Sequence, residues 1–212
     1  MFIDGTIRKY IDEASAGTPT PGGGSVSALA GALGAAMACM AANFTVGRMK
    51  YTDAAPLPVE ALLERFGLVR EKLLRLTEED SKVYELLSAT LAMPKKTEQE
   101  RETRNIVLQG AVVNAMNVPL EVVRVCGALL DELPLLAEVG NKNLISDVGV
   151  SAVLAEAALR AAKLNVEVNL RYLKDEARVA AVRKELEEAK AGAALNMRKV
   201  SETVAKAIGG TP

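Results

Sequence analysis

Apolar positions along the chain recur at intervals of three and four, and strand-like alternation bounded by turns is missing. That rhythm belongs to helices. It predicts a short helix over about 6–14, then a proline- and glycine-rich stretch, "GTPTPGGGS", and a run of small residues to about Asn43. The loop "DAAPLP" leads into a long amphipathic helix through about Leu91, which "MPKKT" breaks. Another helix runs through Leu130 with Pro119 as an expected kink, and a short one lies near Leu135. "GNKNLISDVG" reads as a loop and a helix start, and two helices over about 146–173 and 175–207 complete the chain. Without an internal repeat or a flexible linker, the pattern predicts an all-α, single-domain helical bundle over residues 1–212, with its Ala/Gly-rich helix buried at the centre.

That small-residue helix carries no charge from Ser25 to Gly47, a length that would suit a membrane span. Ala and Gly dominate it rather than Leu and Ile, and no basic cluster stands just before it, so a buried helix is the better reading. Ala28, Gly31, Ala32, Ala35 and Ala36 would let neighbouring helices come close. At its start, Ser25 is a candidate N-cap. Gly22, Gly23 and Gly24 have a second use, because glycine lets another molecule approach the main chain where a helix start offers unpaired N–H groups. "PGGGS" follows no strand and lacks the GxxxxGK[ST] spacing, so it is neither a P-loop nor a dinucleotide fingerprint.

Polar residues interrupt two apolar faces. Phe66, Val69, Leu73, Leu76, Val83 and Leu87 form a core stripe on the long helix, and Asp80 fills the position missing from it. A carboxylate there either finds partners or shifts its pKa upward, which suits a general acid or base. The alternative is a structural aspartate paired with a lysine or a neighbouring helix start. Tyr84 sits one turn further on and either borders the same pocket or packs. On the penultimate helix, Leu154, Ala158 and Ala161 or Ala162 lead to Asn165 and Asn169, which share a face, and then to Tyr172. Two inward carboxamides can hydrogen-bond a heterocycle or tie helices together. Asn114 is a weaker case of the same kind.

The segment holding Asn141, Lys142, Asn143, Ser146 and Asp147 opens another helix, with Ser146 or Asp147 as its expected N-cap. In "NFTVGRMKY", Arg48 and Lys50 are available to an anionic ligand tail.

Composition narrows the chemistry further. Half the residues are hydrophobic but only 3% are aromatic and none is Trp, so the core is built from Ala, Leu and Val. A net charge of −1 argues against a nucleic-acid partner held by a basic surface. Cys39 and Cys126 lack metal-ligand spacing, and a reducing cytoplasm is the simplest setting. There is no histidine. Acid–base work therefore falls to Asp, Glu, Lys, Tyr or Cys, and a Ser-His-Asp triad or His-ligated zinc is excluded.

Several blocks together resemble a known family: "PTPGGGSVSALAGALGAAM", "NFTVGRMKY", "EEDSKVYELL", "VPLEVVRV", and "GNKNLISDVGVSA" followed by "LNVEVNL". In order, and across nearly the whole chain, they are similar to the cyclodeaminase domain of formiminotransferase-cyclodeaminase. Its stand-alone bacterial relatives are included, some of them described as methenyltetrahydrofolate cyclohydrolases. The resemblance implies an oligomeric folate enzyme whose glycine loop and polar helix starts line a tetrahydrofolate site. Gly22, Gly23, Gly24, Ser25, Tyr84, Asn143, Ser146, Asn165 and Asn169 would then contact substrate, and Arg48 and Lys50 would steer a glutamate or polyglutamate tail. Asp80 and Asp147 are the candidate proton carriers, Asp80 first. One local departure is "SKVYELL", where many relatives carry Ala before the aromatic residue.

The preceding formiminotransferase domain has no room in 212 residues, so a free-standing chain would obtain formiminotetrahydrofolate from a separate enzyme or act on a different one-carbon folate. The expectation is a cytoplasmic homodimer or higher homo-oligomer with no metal and no cofactor beyond the folate, and no membrane partner. The resemblance points first to conversion of 5-formiminotetrahydrofolate to 5,10-methenyltetrahydrofolate and ammonia. Cyclohydrolysis of the methenyl compound is the alternative, and a non-catalytic folate-binding module or a purely structural bundle are the other readings.

Overall fold

The computed structural model describes residues 1–46 and 59–209. Thr6 opens α1 (Ile7–Ala14) by accepting the N–H of Lys9. α2 (Gly23–Asn43) follows a cis Thr20–Pro21 peptide, and α3 (Val59–Leu91) comes next. α4 (Glu98–Val139) begins with a reciprocal cap in which the Thr97 hydroxyl takes the Glu100 N–H and the Glu100 carboxylate takes the Thr97 N–H. A single 3₁₀ turn, Lys142–Leu144, leads to α5 (Ile145–Leu170). Asp175 caps α6 (Glu176–Ile208), which ends on Gly209 at φ 74°. Among the described residues there is no strand.

The all-α expectation holds, with two boundary corrections. α2 starts at Gly23 rather than Ser25, so two of the three glycines lie inside the helix. α4 does not stop at Leu130 but continues through Pro119 and Pro134 to Val139. Leu129, Leu130, Leu133 and Leu136 are all buried around the second proline. Their burial outweighs the ~3 kcal/mol that an interior proline costs.

α2 packs chiefly against α5 and α3, and to a lesser extent α4, while α6 covers α4 and α5. Ala28, Ala35, Ala38 and Ala42 have no solvent exposure. α2 and a stretch of α4 are each long and apolar enough to cross a membrane, and 61% of the α2 stretch is buried inside the protein. α2 and α5 run antiparallel: Gly23 faces Asn165, Gly34 faces Ser151 and Ala155, and Thr45 accepts the N–H of Asn141. A Cβ on Gly34 would stand 3.1 Å from the Ser151 carbonyl and 3.2 Å from the Ala155 nitrogen. The two backbones touch there, and no side chain fits between them.

Gly110, inside α4, has open space where its Cβ would be. Gly34→Leu should destabilise the fold by about 1–3 kcal/mol through overpacking, whereas Gly110→Ala should stabilise it by about 0.5–1 kcal/mol through helix propensity. Urea unfolding midpoints of the two variants check this pair of opposite signs.

Candidate active site

The first turn of a helix leaves backbone N–H groups without intrahelical partners, and a side chain usually satisfies one of them. α2 cannot do this for itself. Its N-cap is Gly22, which has no side chain, and Ser25 lies three residues further on, fully buried. The cap comes instead from α3: the Ser25 N–H donates to Asp80 Oδ2 at 2.9 Å. One turn earlier on α3, the Thr77 carbonyl accepts the Ser25 hydroxyl at 2.8 Å. Ser25 is thus pinned to α3 by its backbone and by its side chain. The expected role of Ser25 as N-cap is corrected, because the cap residue precedes the helical glycines and the capping carboxylate is supplied by another helix.

Gly24 is the residue that makes this approach possible. A Cβ there would lie 2.0 Å from Asp80 Oδ1 and 2.5 Å from its Cγ, so any side chain would evict the carboxyl. Gly23 faces the other wall, where its Cβ would stand 3.1 Å from Asn165 Oδ1 and 3.3 Å from Nδ2. Asn165 donates to the Ala161 carbonyl, and Asn169 donates to the carbonyls of Asn165 and of Ala115 on α4. Among the described residues, the N–H groups of Gly23 and Gly24 meet no protein acceptor. The result is a corner with a carboxyl on one side, a carboxamide on the other, and bare main-chain donors between them.

Burial raises the Asp80 pKa above its ordinary 3.8, and the Ser25 N–H opposes that rise without cancelling it. The positive end of α2 pulls in the same direction as the N–H. Desolvation is the larger effect. A carboxyl held in this way can carry a proton closer to neutral pH than an exposed aspartate can.

The other expected site residues are placed differently. Asn143, Ser146 and Asp147 sit at the start of α5, beside the far end of α2, where Asn141 reaches the Phe44 carbonyl and the Thr45 hydroxyl. Along the 21 residues of α2 this is about 30 Å from the glycine corner. Within one chain the two groups do not meet. Neither Ser146 nor Asp147 is the N-cap of α5; that position is Leu144, which has no side-chain cap bond. Tyr84 and Tyr172 are exposed, and so is Asn114. Arg48 and Lys50 lie outside the described residues. Among the described residues no cluster of three or more His, Cys, Asp or Glu is arranged to hold a metal. Sequence reasoning missed Tyr10, the one buried residue of α1, whose hydroxyl lies 2.9 Å from Ser25 Oγ. Its signal was a lone aromatic in a short, highly charged helix.

The formiminotransferase-cyclodeaminase family matches residues 6–188. The chain belongs to that family. A methenyltetrahydrofolate cyclohydrolase of Methylorubrum extorquens is 37% identical over 94% of this chain and 95% of its own length. The formimidoyltransferase-cyclodeaminase of Rattus norvegicus is 32% identical over 82% of this chain, an alignment spanning 32% of the rat protein. The crystal structure of formiminotetrahydrofolate cyclodeaminase from Thermotoga maritima superposes with a TM-score of 0.86 at 33% identity, over 98% of this chain and all of that one. As a member of this family the chain is a folate one-carbon enzyme of the cyclodeaminase or cyclohydrolase type.

The contact between Gly24 and Asp80 is open to a double-mutant cycle. Gly24→Ala alone should cost about 1–3 kcal/mol of stability, and most of that cost should vanish when Asp80 is also alanine. Chemical denaturation of the four proteins measures the coupling.

Proposed function

We propose that this protein works on the one-carbon bridge between N5 and N10 of tetrahydrofolate, with Asp80 as its acid–base group. The observation carrying the proposal is a half-buried carboxyl of raised pKa against the glycine-rich first turn of α2, in a chain without histidine. In the hydrolytic direction, Asp80 takes a proton from water as the oxygen bonds to the methenyl carbon. The same carboxylic acid returns a proton to N5 as the C–N5 bond breaks, leaving 10-formyltetrahydrofolate and releasing one proton to solvent. In cyclodeamination, N10 of the protonated formimino compound bonds to the formimino carbon and gives its proton to Asp80, which passes it to the departing amino group, so that ammonia leaves and the methenyl bridge remains. Either route uses one carboxyl that gives and takes a proton. Gly23 and Gly24 would place main-chain N–H groups against the folate ring, Asn165 and Asn169 would form the inner wall, and no further cofactor is required.

Identity of 37% along nearly the full length of the M. extorquens cyclohydrolase favours hydrolysis as the first reading. The end-to-end likeness to the T. maritima cyclodeaminase keeps deamination as the second. The decisive assay follows methenyl absorbance with purified protein on 5,10-methenyltetrahydrofolate and on 5-formiminotetrahydrofolate. Loss of the band above the uncatalysed rate identifies the hydrolase, and its appearance with ammonia identifies the deaminase. Asp80→Asn should lower kcat by about 10²–10⁴-fold on the true substrate. Silence on both substrates would defeat the proposal.

The reading extends to a soluble cytoplasmic homodimer. Val26 and Leu33 on α2 and Val150, Val153, Leu164 and Val168 on α5 are apolar yet about half exposed or more. A second copy laid antiparallel along these helices would cover them and bring Asn143, Ser146 and Asp147 of one chain to the glycine corner of the other. Co-expressing differently tagged Asp80→Asn and Asp147→Asn chains should then restore about a quarter of wild-type activity, because half the pairs carry one intact site of two. No recovery in the purified mixed dimer would place each site within one chain.

A further inference from the structure

α1 is held to the rest of the protein by few contacts. Ile7 and Ile11 face solvent, and Tyr10 is the helix's one buried side chain. Among the described residues, the Ile3 N–H donates to Glu78 Oε1 at 2.8 Å and the Tyr10 hydroxyl pairs with Ser25 Oγ at 2.9 Å, and these two bonds fasten the segment. The ring of Phe2 meets the ring of Tyr10 edge-on, with centroids 5.8 Å apart. Because Ser25 Oγ gives its own proton to the Thr77 carbonyl, Tyr10 must be the donor in its bond. The chain of donation therefore runs from the Tyr10 hydroxyl to the Ser25 hydroxyl to the Thr77 carbonyl. It ends on α3 one turn before Asp80.

We propose that Tyr10 is a positioning residue for Asp80: its hydroxyl locks Ser25, and the locked Ser25 backbone N–H holds the Asp80 carboxyl in its working orientation. This inference rests on Asp80 being the acid–base group. Ser25 is the single joint of the arrangement, with Tyr10 and Thr77 on its hydroxyl and Asp80 on its N–H. All of these bonds lie in buried or half-buried surroundings, where an unmade partner is costly. Without the Tyr10 hydroxyl, Ser25 keeps Thr77 but loses the bond that fixes it from the outer side. The first turn of α2 can then drift from α3, and the Ser25 N–H to Asp80 bond lengthens.

The direction of the effect follows from the groups around the corner. α1 presents Tyr10, with Lys9 and Glu13 along the adjoining recess, and α3 presents Glu78, Lys82 and Glu85 there. α2 and α5 turn Ser25 and Asn165 toward the corner, and neither titrates. Burial raises the Asp80 pKa and the Ser25 N–H is what lowers it. Loosening that bond should move Asp80 to a still higher pKa.

The test is a ¹³C titration of the aspartate carboxyls in wild type and Tyr10→Phe, with the Asp80 signal assigned by its absence in Asp80→Asn. Tyr10→Phe should raise the Asp80 midpoint by roughly 0.4–1 pH unit, the worth of one hydrogen bond. It should also lower kcat about tenfold with little change in KM, because orientation rather than binding is lost. Ser25→Ala removes the acceptor while keeping the N–H and should raise the midpoint in the same way, so it decides the matter if Tyr10→Phe does not fold. An unchanged Asp80 midpoint in a folded variant would overturn the proposal, since a Tyr10 that only packs α1 would leave that carboxyl untouched. The titration needs no substrate. If Asp80→Asn keeps full turnover while the midpoint still moves, the catalytic reading of Asp80 fails and the link from Tyr10 to Asp80 stands.

Discussion

The bond from the Ser25 N–H to the Asp80 carboxylate is the interaction on which the site depends. A helix beginning with glycines has no side chain for its own cap, and α3 supplies one from 55 residues away in sequence. This ties the start of the buried helix to the middle of the long amphipathic one. It also takes a carboxyl partly out of water, and the protein meets only part of that cost by a hydrogen bond. The remainder appears as a raised pKa, so one contact organises the fold locally and prepares an acid–base group.

The close approach of helix backbones is the constraint behind this arrangement. Gly34 lets α2 touch α5, and Gly31 faces Cys126 and Leu73, where a Cβ would be 2.8 Å from the sulfur. These contacts set the depth of α2, and that depth brings Gly24 within reach of Asp80 and Gly23 within reach of Asn165. Small residues in the middle of the helix therefore act on the site at its end. The antiparallel run of α2 and α5 has an opposite effect on the polar start of α5, which it carries to the far end of the same helix.

Much of this was legible in the chain. The three-four spacing named the helices, and Asp80 stood out as the one carboxylate in an apolar stripe; both alternatives for it proved partly apt, since its partner is a neighbouring helix start and its pKa is raised. Asn165 was legible from the same periodicity, and it faces Gly23. Three things were not legible. Ser25 reads locally as a cap, yet a cap supplied by another helix depends on tertiary packing that no local pattern encodes. The sequence pattern ends one helix at Leu130 and places a short one near Leu135, yet the buried leucines around Pro134 keep α4 continuous. The distance between Asp147 and Asp80 depends on the direction in which two helices pack, and spacing along the sequence does not record it.

The pH dependence of stability in wild type and in Asp80→Asn shows whether burial holds the Asp80 proton. A carboxyl whose folded pKa lies above 3.8 binds its proton more tightly when folded. Its stabilising contribution is therefore complete below 3.8 and is lost as pH rises through the folded value. The carboxamide of the variant does not titrate and can still accept the Ser25 N–H, so the comparison isolates the charge. The unfolding free energy of Asp80→Asn should gain on that of wild type as pH rises above 3.8, by no more than about 1.4 kcal/mol per pH unit, and then level off. A difference that is flat with pH, or one in which wild type gains as Asp80 ionises, would make Asp80 an ordinary helix cap rather than a carboxyl primed by burial.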